Sequence, residues 1–252
     1  MSDIKTAVVT GAGTGIGKAV ATAFVQQGWN TVFVGRRAGL LDEAVTAAGS
    51  HGGARGLAHA CDITKEDEVD ALFAAAVKAF GRVDVLFNNA GMSYKSTLID
   101  ETPVSTWNDM VAVNLTGSFL CARAAFRTMR NQSPMGGRII NNGSVSAHAP
   151  RPGTVPYTAT KHAITGLTKT LALDGRPFDI ACGQIDIGNA LTDMARPMTV
   201  GVPQANGTMA AEAVMDVQQV ADSVLYMSSL PLSANVLFMT VMATKMPFVG
   251  RG

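Results

Sequence analysis

The chain has 252 residues, a length at which an α/β fold closes as one domain and too short for two of ordinary size. Hydrophobic residues make up 47% and charged residues only 15%, against roughly 25% in an average soluble chain, which leaves surface to be covered, for example between subunits. Lys and Arg exceed Asp and Glu by one charge, which excludes the global field that would hold a nucleic-acid backbone or an anionic membrane, and no apolar run reaches the ~20 residues of a membrane span.

The first residues, Met1 to Lys5, lead into a strand without the apolar core of a signal segment, so the expected location is soluble and cytoplasmic. Short β-rich runs are predicted as strands at residues 6–10, 31–35, 56–61, 83–88, 137–142, 179–186 and 236–243. Helices are predicted between them at 16–27, 40–48, 64–80, 104–129 (broken), 157–173 and 217–229. In the 64–80 helix the Thr64 hydroxyl is read as the cap with Asp67 three residues on, Val69, Leu72, Phe73, Ala76, Val77 and Phe80 share a face, and Gly81 stops it. The alternation predicts βαβ units: a doubly wound sheet of about seven parallel strands with helices on both faces, residues 1–252 forming one domain. Residues 194–215, with Pro197, Gly201, Pro203 and Gly207, read as an irregular loop of the kind that forms lids.

Three constellations carry chemistry. After the first strand comes Thr10-Gly11-Ala12-Gly13-Thr14-Gly15-Ile16-Gly17, leading into a helix whose N-terminal amides and dipole suit a pyrophosphate. The G-x-G-x-x-G fingerprint fails because Lys18 stands where its last glycine should be, and the P-loop fails at Ala19. A merely tight strand-to-helix turn is the alternative reading. The second strand ends in Gly35-Arg36-Arg37, where a carboxylate would hold the ribose 2′-OH of NAD. Two guanidiniums suit a 2′-phosphate instead, or form a solvated turn. Ser144, Tyr157 and Lys161 complete the set, the last two at i, i+4 on one helical face. A phenol is a poor proton donor near neutrality, an adjacent ammonium stabilises its phenolate, and a Ser hydroxyl with the phenol supplies two donors to an oxygen gaining negative charge. Tyr-x-x-x-Lys alone is equally an ordinary helix face.

Taken in order, these motifs resemble the short-chain dehydrogenase/reductase family over essentially the whole length. Residues 10–17 match its cofactor loop, Asp62-Ile63 its adenine-contacting pair, Asn88-Asn89-Ala90-Gly91 its fourth-strand motif, and Asn114, Ser144, Tyr157 and Lys161 its catalytic set, with thirteen residues from Ser to Tyr. The resemblance implies a Rossmann-type fold and a hydride transfer between NADP(H), with NAD(H) less favoured, and a ketone or secondary alcohol. Tyr157 is then the proton donor or acceptor, Ser144 orients the substrate oxygen, Lys161 holds the nicotinamide ribose, and Asn114 anchors a water relay. Cofactor contacts are implied for Gly11, Thr14, Gly15, Ile16, Gly17, Arg36, Arg37, Asp62, Ile63, Asn89, Ala90, Gly91, Tyr157, Lys161, Gly188, Ala190 and Thr192. A homo-oligomer is implied, tetramer ahead of dimer.

Two features depart from the family pattern. Ile187 replaces the proline of a Pro-Gly pair after the sixth strand, and the chain ends in an apolar tail, residues 238–252, instead of Asp-Gly-Gly. The tail weakens the alternative of 3-oxoacyl-carrier-protein reduction and is expected to dock on a neighbouring subunit.

Other candidates are weaker. Cys61, Cys121 and Cys182 have no paired spacing and read as buried reduced thiols, and His51, His59, His148 and His162 have no metal-ligand spacing, so no metal is expected. His148 is either a substrate contact or an ordinary polar loop residue, and His162 packs or faces solvent. Arg123, Arg127 and Arg130 form either a basic stripe for an acidic carrier or a solvated face. The expected substrate wall is Met92, Ser93, Tyr94, His148, Met194, Met198 and Met209, apolar and adaptable.

Overall fold

The computed structural model describes residues 4–249. Its elements in order are β1 (Thr6–Thr10), α1 (Gly15–Gln26), β2 (Asn30–Gly35), α2 (Ala38–Ala48), β3 (Ser50–His51), β4 (Ala54–Ala60), α3 (Glu66–Phe80), β5 (Val85–Asn88), α4 (Val104–Val111), α5 (Ser118–Asn131), β6 (Gly137–Asn142), α6 (Val155–Asp174), β7 (Ile180–Gly188), α7 (Arg196–Val200), β8 (Val202–Pro203), β9 (Met209–Ala210), α8 (Val217–Ser229) and β10 (Phe238–Met242). Eight strands form the main sheet in the order β10-β7-β6-β5-β1-β2-β4-β3. Seven are parallel, as the apolar runs predict. The eighth, β3, is a two-residue antiparallel addition to β4, made by Gly52 and Gly53 at φ +60° and +88°, a turn that only glycine takes without strain.

The chain winds outward from β1 through β2 to β4, then returns to place β5 on the other side of β1. A crevice opens at such a reversal because the loops leaving the two central strands diverge. Strands buried on both faces need a hydrophobic layer on each side. Val9, Phe33 and Phe87 meet α1, α2 and α8 on one side, and Val8, Val32 and Leu86 meet α3, α5 and α6 on the other.

Several local expectations change. Thr64 does not cap α3. Its amide and hydroxyl both donate to Asp62 Oδ1, at 3.0 and 2.8 Å, which uses up the hydroxyl, and Lys65 becomes the uncapped first position. Glu66, Asp67 and Glu68 in the first turn answer the helix dipole, and Gly81 ends α3 at φ +84° as expected. The helix expected to break within 104–129 is instead continuous, α4 passing into α5 through a π turn at Ala112–Gly117. Gly117 is needed in that turn because a Cβ there would lie 2.6 Å from Ile63 Cδ1.

The segment 194–215 is not a plain loop: α7 and the β8–β9 hairpin lie within it. The hairpin turns at Asn206-Gly207, where Asn206 Oδ1 accepts from the Thr208 amide and hydroxyl at 3.1 and 2.7 Å. Part of the C-terminal segment packs on its own chain, and Phe238 and Val249 stay exposed. Met246 and Ala243 are buried with Val145, and the Phe248 ring meets the His148 ring edge-on at 6.3 Å. Residues 250–252 of that tail lie outside the described residues.

One buried cation ties the base of the sheet. Arg138 in β6 is 2% exposed and donates to Asn235 Oδ1 at 2.9 Å and to the carbonyls of Leu230, Pro231 and Ala234 at 3.0–3.2 Å. Arg138→Met should leave those acceptors buried and unpaired, costing about 1.5–3 kcal/mol. Urea unfolding should show it as a lower midpoint at unchanged slope.

Candidate active site

The glycine loop closes the end of β1 and opens α1. Gly11 and Gly15 take φ +70° and +54°, and a Cβ on Gly17 would overlap the Gly11 carbonyl oxygen, so the tight turn requires glycine there. Thr14, the exposed N-cap of α1, makes no side-chain hydrogen bond to the first-turn amides, which leaves the helix end open to an anion. Ile16 packs into the core beside α8. Thr192 lies across the crevice, its Cγ2 3.2 Å from where a Gly15 Cβ would be. Ala190, 5% exposed, is held by a parallel bridge to Met215, and Gly188 lets Met246 pack against β7. These residues fit a dinucleotide: small where its backbone must approach and uncapped where its phosphates carry charge.

Asn89 joins the loop to the neighbouring strands. Its Nδ2 donates to Thr10 O at 2.8 Å, its amide and that of Ala90 both donate to Thr10 Oγ1 at 2.9 Å, and its Oδ1 accepts from Asn142 Nδ2 at 2.8 Å. Asn142 O in turn accepts from Lys161 Nζ at 2.7 Å. Lys161, only 6% exposed, lies on α6 with Nζ 5.6 Å from the Tyr157 ring centroid, as the i, i+4 spacing predicts. Ser144 caps the 3₁₀ turn Val145–Ala147, its Oγ accepting from Ser146 N at 3.1 Å. That turn packs on α6.

Asn114 sits in the π turn, 2% exposed, and grips Met92: Oδ1 accepts from Met92 N at 2.8 Å and Nδ2 donates to Met92 O at 2.9 Å. The side chain is therefore committed to the loop after β5, and Gly91 passes 3.3 Å from its Oδ1, measured from an added Cβ. Ser118 Oγ donates to the Asn114 carbonyl at 2.9 Å.

At the far end of the crevice, Arg36 and Arg37 follow β2 and are both exposed. Hydrogen bonds from Thr64 hold the Asp62 carboxyl below its usual range against the cost of burial, and the charges of Arg36 and Lys65 add to the effect. The structure therefore brings Arg36 and Asp62 to one rim. Ile63 is buried against the π turn, 6% exposed.

Sequence reasoning did not single out two buried acids, one of them beside Ser144. Asp186, 1% exposed in β7, accepts from Ser144 N at 3.0 Å and Gln184 Nε2 at 2.7 Å on Oδ1, and meets His148 Nε2 at 2.9 Å on Oδ2. Gly143 makes room, since a Cβ there would overlap Oδ1. A lone acid in an apolar strand is the signal that could have found it. The second group is Glu212 on the segment after β9. It pairs with Arg151 and accepts from Asn189 Nδ2 at 2.8 Å and Gln204 Nε2 at 3.0 Å. Arg151 also donates to Asn189 Oδ1 at 2.8 Å, so the network joins the segment after β9 to the loops flanking β7 and α6.

The remaining candidates resolve plainly. Arg123 and Arg127 pair with Glu66 and Asp70, and Arg130 lies 4.3 Å over the Phe178 ring, so the three arginines do not form a free basic stripe. His162 bonds the Thr158 carbonyl on an exposed face. In the expected substrate wall, Met92 is fixed by Asn114, Met198 O accepts from Glu212 N at 2.8 Å, Tyr94 is half-buried, and Ser93, Met194 and Met209 are exposed. Among the described residues no three His, Cys, Asp or Glu side chains cluster as metal ligands, and no helix is long and apolar enough to cross a membrane.

Comparison with known proteins agrees with this geometry. The short chain dehydrogenase family model matches residues 5–201. The 3beta-hydroxysteroid dehydrogenase of Mediterraneibacter gnavus is 33% identical over 223 residues, 88% of this chain and 79% of that protein. The 3-oxoacyl-(acyl-carrier-protein) reductase of Synechocystis is 35% identical over 204 residues, 79% of this chain and 81% of that protein. Among solved structures, 3-ketoacyl-(acyl-carrier-protein) reductase from Brucella melitensis, complexed with NADH, superposes with a TM-score of 0.83 at 27% identity, covering 95% of this chain and 97% of that one. The chain belongs to the short-chain dehydrogenase family and is an oxidoreductase that acts on CH–OH groups with a nicotinamide cofactor.

The Glu212 network makes stability depend on pH. Burial opposes ionisation of Glu212, but hydrogen bonds from Arg151, Asn189 and Gln204, with the charge of Arg151, hold its carboxyl down at about 2. A folded-state value below the unfolded one, ~4.3, stabilises the fold above that value, and the contribution disappears as pH falls toward 2, about 3 kcal/mol in all. Urea midpoints measured from neutrality into acid should fall through this window, and Glu212→Gln should start lower and lose less across it.

Proposed function

We propose that the protein interconverts a ketone and a secondary alcohol with NADP(H), residues 1–252 acting as one cofactor-binding and catalytic unit. The observation that carries the reading is the Lys161 ammonium, fixed by Asn142 O and lying over the Tyr157 ring one helical turn away. Residues Gly11, Thr14, Gly15, Ile16 and Gly17 would hold the pyrophosphate, Asp62 and Ile63 the adenine, Asn89, Ala90 and Gly91 the ribose side, and Gly188, Ala190 and Thr192 the carboxamide. When bound, the nicotinamide supplies the hydride in reduction and receives it in oxidation.

In the reducing direction Ser144 Oγ donates a hydrogen bond to the substrate carbonyl oxygen. Tyr157 transfers its phenolic proton to that oxygen as the carbonyl carbon becomes tetrahedral, leaving an alcohol and a tyrosinate. The buried Lys161 ammonium stabilises the tyrosinate until a proton returns from solvent. Asn114 keeps the loop at Met92 and the π turn in register beside α6. In oxidation each proton moves in reverse.

For cofactor choice the supporting observation is Gly35 at the end of β2, followed by two exposed arginines with Arg36 beside Asp62. A 2′-phosphate meets guanidinium there, and a 2′-OH meets no carboxylate at position 35. The carrier-thioester alternative has similar relatives in its favour, but Arg123, Arg127 and Arg130 are already partnered. A panel of free ketones against acetoacetyl thioesters separates the two. Exposed Val104, Trp107 and Phe119 around the π turn support a homo-oligomer, tetramer ahead of dimer. Burial raises the thiols of Cys61 and Cys182 to about 12, which suits a cytoplasmic protein with inert cysteines.

Tyr157→Phe should bind NADPH normally and lose about 100-fold or more in kcat, because the ring still packs and the proton is gone. Lys161→Met should weaken both NADPH binding and turnover. Near-parental turnover of Tyr157→Phe moves the chemistry to another residue. In the parent, kcat/KM should favour NADPH over NADH by about 10- to 100-fold, the range of one charge-assisted contact. Gly35→Asp with Arg36→Ala should invert that ratio, and a parent equally active with both cofactors rules out Arg36 as the discriminating residue.

A further inference from the structure

We infer that His148, oriented by the buried Asp186 carboxylate, is a substrate-contacting residue that accepts a hydrogen bond from a hydroxyl one or two carbons from the reacting carbonyl. The inference rests on the assignment of Ser144 and Tyr157 as the reacting pair. One carboxylate holds both groups: Oδ1 accepts from Ser144 N at 3.0 Å and Oδ2 meets His148 Nε2 at 2.9 Å. Two hydrogen bonds to one carboxylate keep the Ser144 amide and the imidazole within about 8 Å of each other, so the two residues flank one carboxylate. Asp186 is walled in, with 2% of its side chain exposed, whereas the His148 side chain is 48% exposed. The imidazole is therefore the outward end of a pair whose inner end is fixed.

The chemistry of the pair selects the ligand. A carboxylate only accepts, so the proton of the neutral ring is on Nε2 and the lone pair is on Nδ1. Among the described residues no protein group bonds Nδ1; the ring's only hydrogen-bond partner is Asp186. An acceptor on the outward side of the ring calls for a donor. A hydroxyl supplies one without charge, whereas a carboxylate on the substrate would face Asp186 across the ring. The walls agree: Val145, Met246 and Phe248 gather at the same turn, and Phe248 meets the imidazole edge-on at 6.3 Å, limiting its swing. Gln184 Nε2 donates to Asp186 Oδ1 at 2.7 Å, so that oxygen is taken by Gln184 and the Ser144 amide while Oδ2 meets His148.

The substrates predicted to profit are α-hydroxyketones and the corresponding vicinal diols. The test compares hydroxyacetone with butanone, which differ by a hydroxyl in place of a methyl, under saturating NADPH. The parent should favour hydroxyacetone by about ten-fold in kcat/KM. In His148→Phe that ratio should fall to near one, with the change carried in KM for hydroxyacetone. His148→Gln, which keeps a carbonyl acceptor, should restore part of it, and Asp186→Asn should lower it by loosening the ring. An NADPH titration establishes that each variant is folded. NMR of the imidazole nitrogens gives a readout independent of turnover: hydroxyacetone should shift His148 Nδ1 in the NADPH complex and butanone should not. An equal ratio in the parent and His148→Phe overturns the proposal, as does a parental preference for acetoacetate over hydroxyacetone. If Tyr157→Phe retains turnover, the underlying assignment fails instead, whatever the ratio shows.

Discussion

Three parallel strands finish side by side at the reversal of the sheet, and Asn89 holds their ends together. Its Nδ2 and amide donate to the carbonyl and hydroxyl oxygens of Thr10 from β1, and its Oδ1 accepts from Asn142 Nδ2 of β6. Strand ends at a crevice present backbone groups that the ladder no longer satisfies, so a side chain must take them or water enters. Because Asn142 O is also the acceptor for Lys161, the bracket that closes the sheet sets the position of the ammonium over Tyr157. The glycine loop and the proton-transfer residues thus share one rigid reference.

A second constraint comes from buried charge. Asp186 and Glu212 lie almost wholly out of water, a position that is costly unless each oxygen is met by a donor. Asp186 meets this condition through Ser144, Gln184 and His148, and Glu212 through Arg151, Asn189 and Gln204. Asp186 ties β7 to the segment after β6, and Glu212 ties that segment to the loop after β7. The departure of Ile187 from the family's proline belongs to this arrangement. The strand continues to Gly188, and Asn189, at φ +50°, turns its amide into the Glu212 network.

The segment after β9 and the C-terminal tail both pack on the end of β7 and its neighbours. Residues after β9 return to the sheet through Met215, which pairs with Ala190, while Met246 fills the space left by Gly188. Phe248 then reaches His148. The inner face of the apolar tail is accordingly part of the wall near Ser144, while Phe238 and Val249 on the tail and Val104, Trp107 and Phe119 on α4 and α5 stay exposed.

What was legible in the sequence was what depends on near neighbours. Apolar runs of strand length, helical spacing in α3, the stop at Gly81, the glycine loop and the Tyr157–Lys161 turn follow from a few bonds of local geometry, and the family pattern marked Asn114 and Ser144. Even some local choices needed the fold: Thr64 turns to Asp62 instead of capping α3, and Asn206-Gly207 closes a hairpin whose two-residue strands are too short to show periodicity. The tertiary structure alone decided the partners. Asn89 meets Thr10 across 79 residues, Ser144 meets Asp186 across 42, and Arg151 meets Glu212 across 61. No periodicity encodes such pairs, because a hydrogen bond depends on where two strand ends arrive in space, and that is settled only when both faces of the sheet are buried.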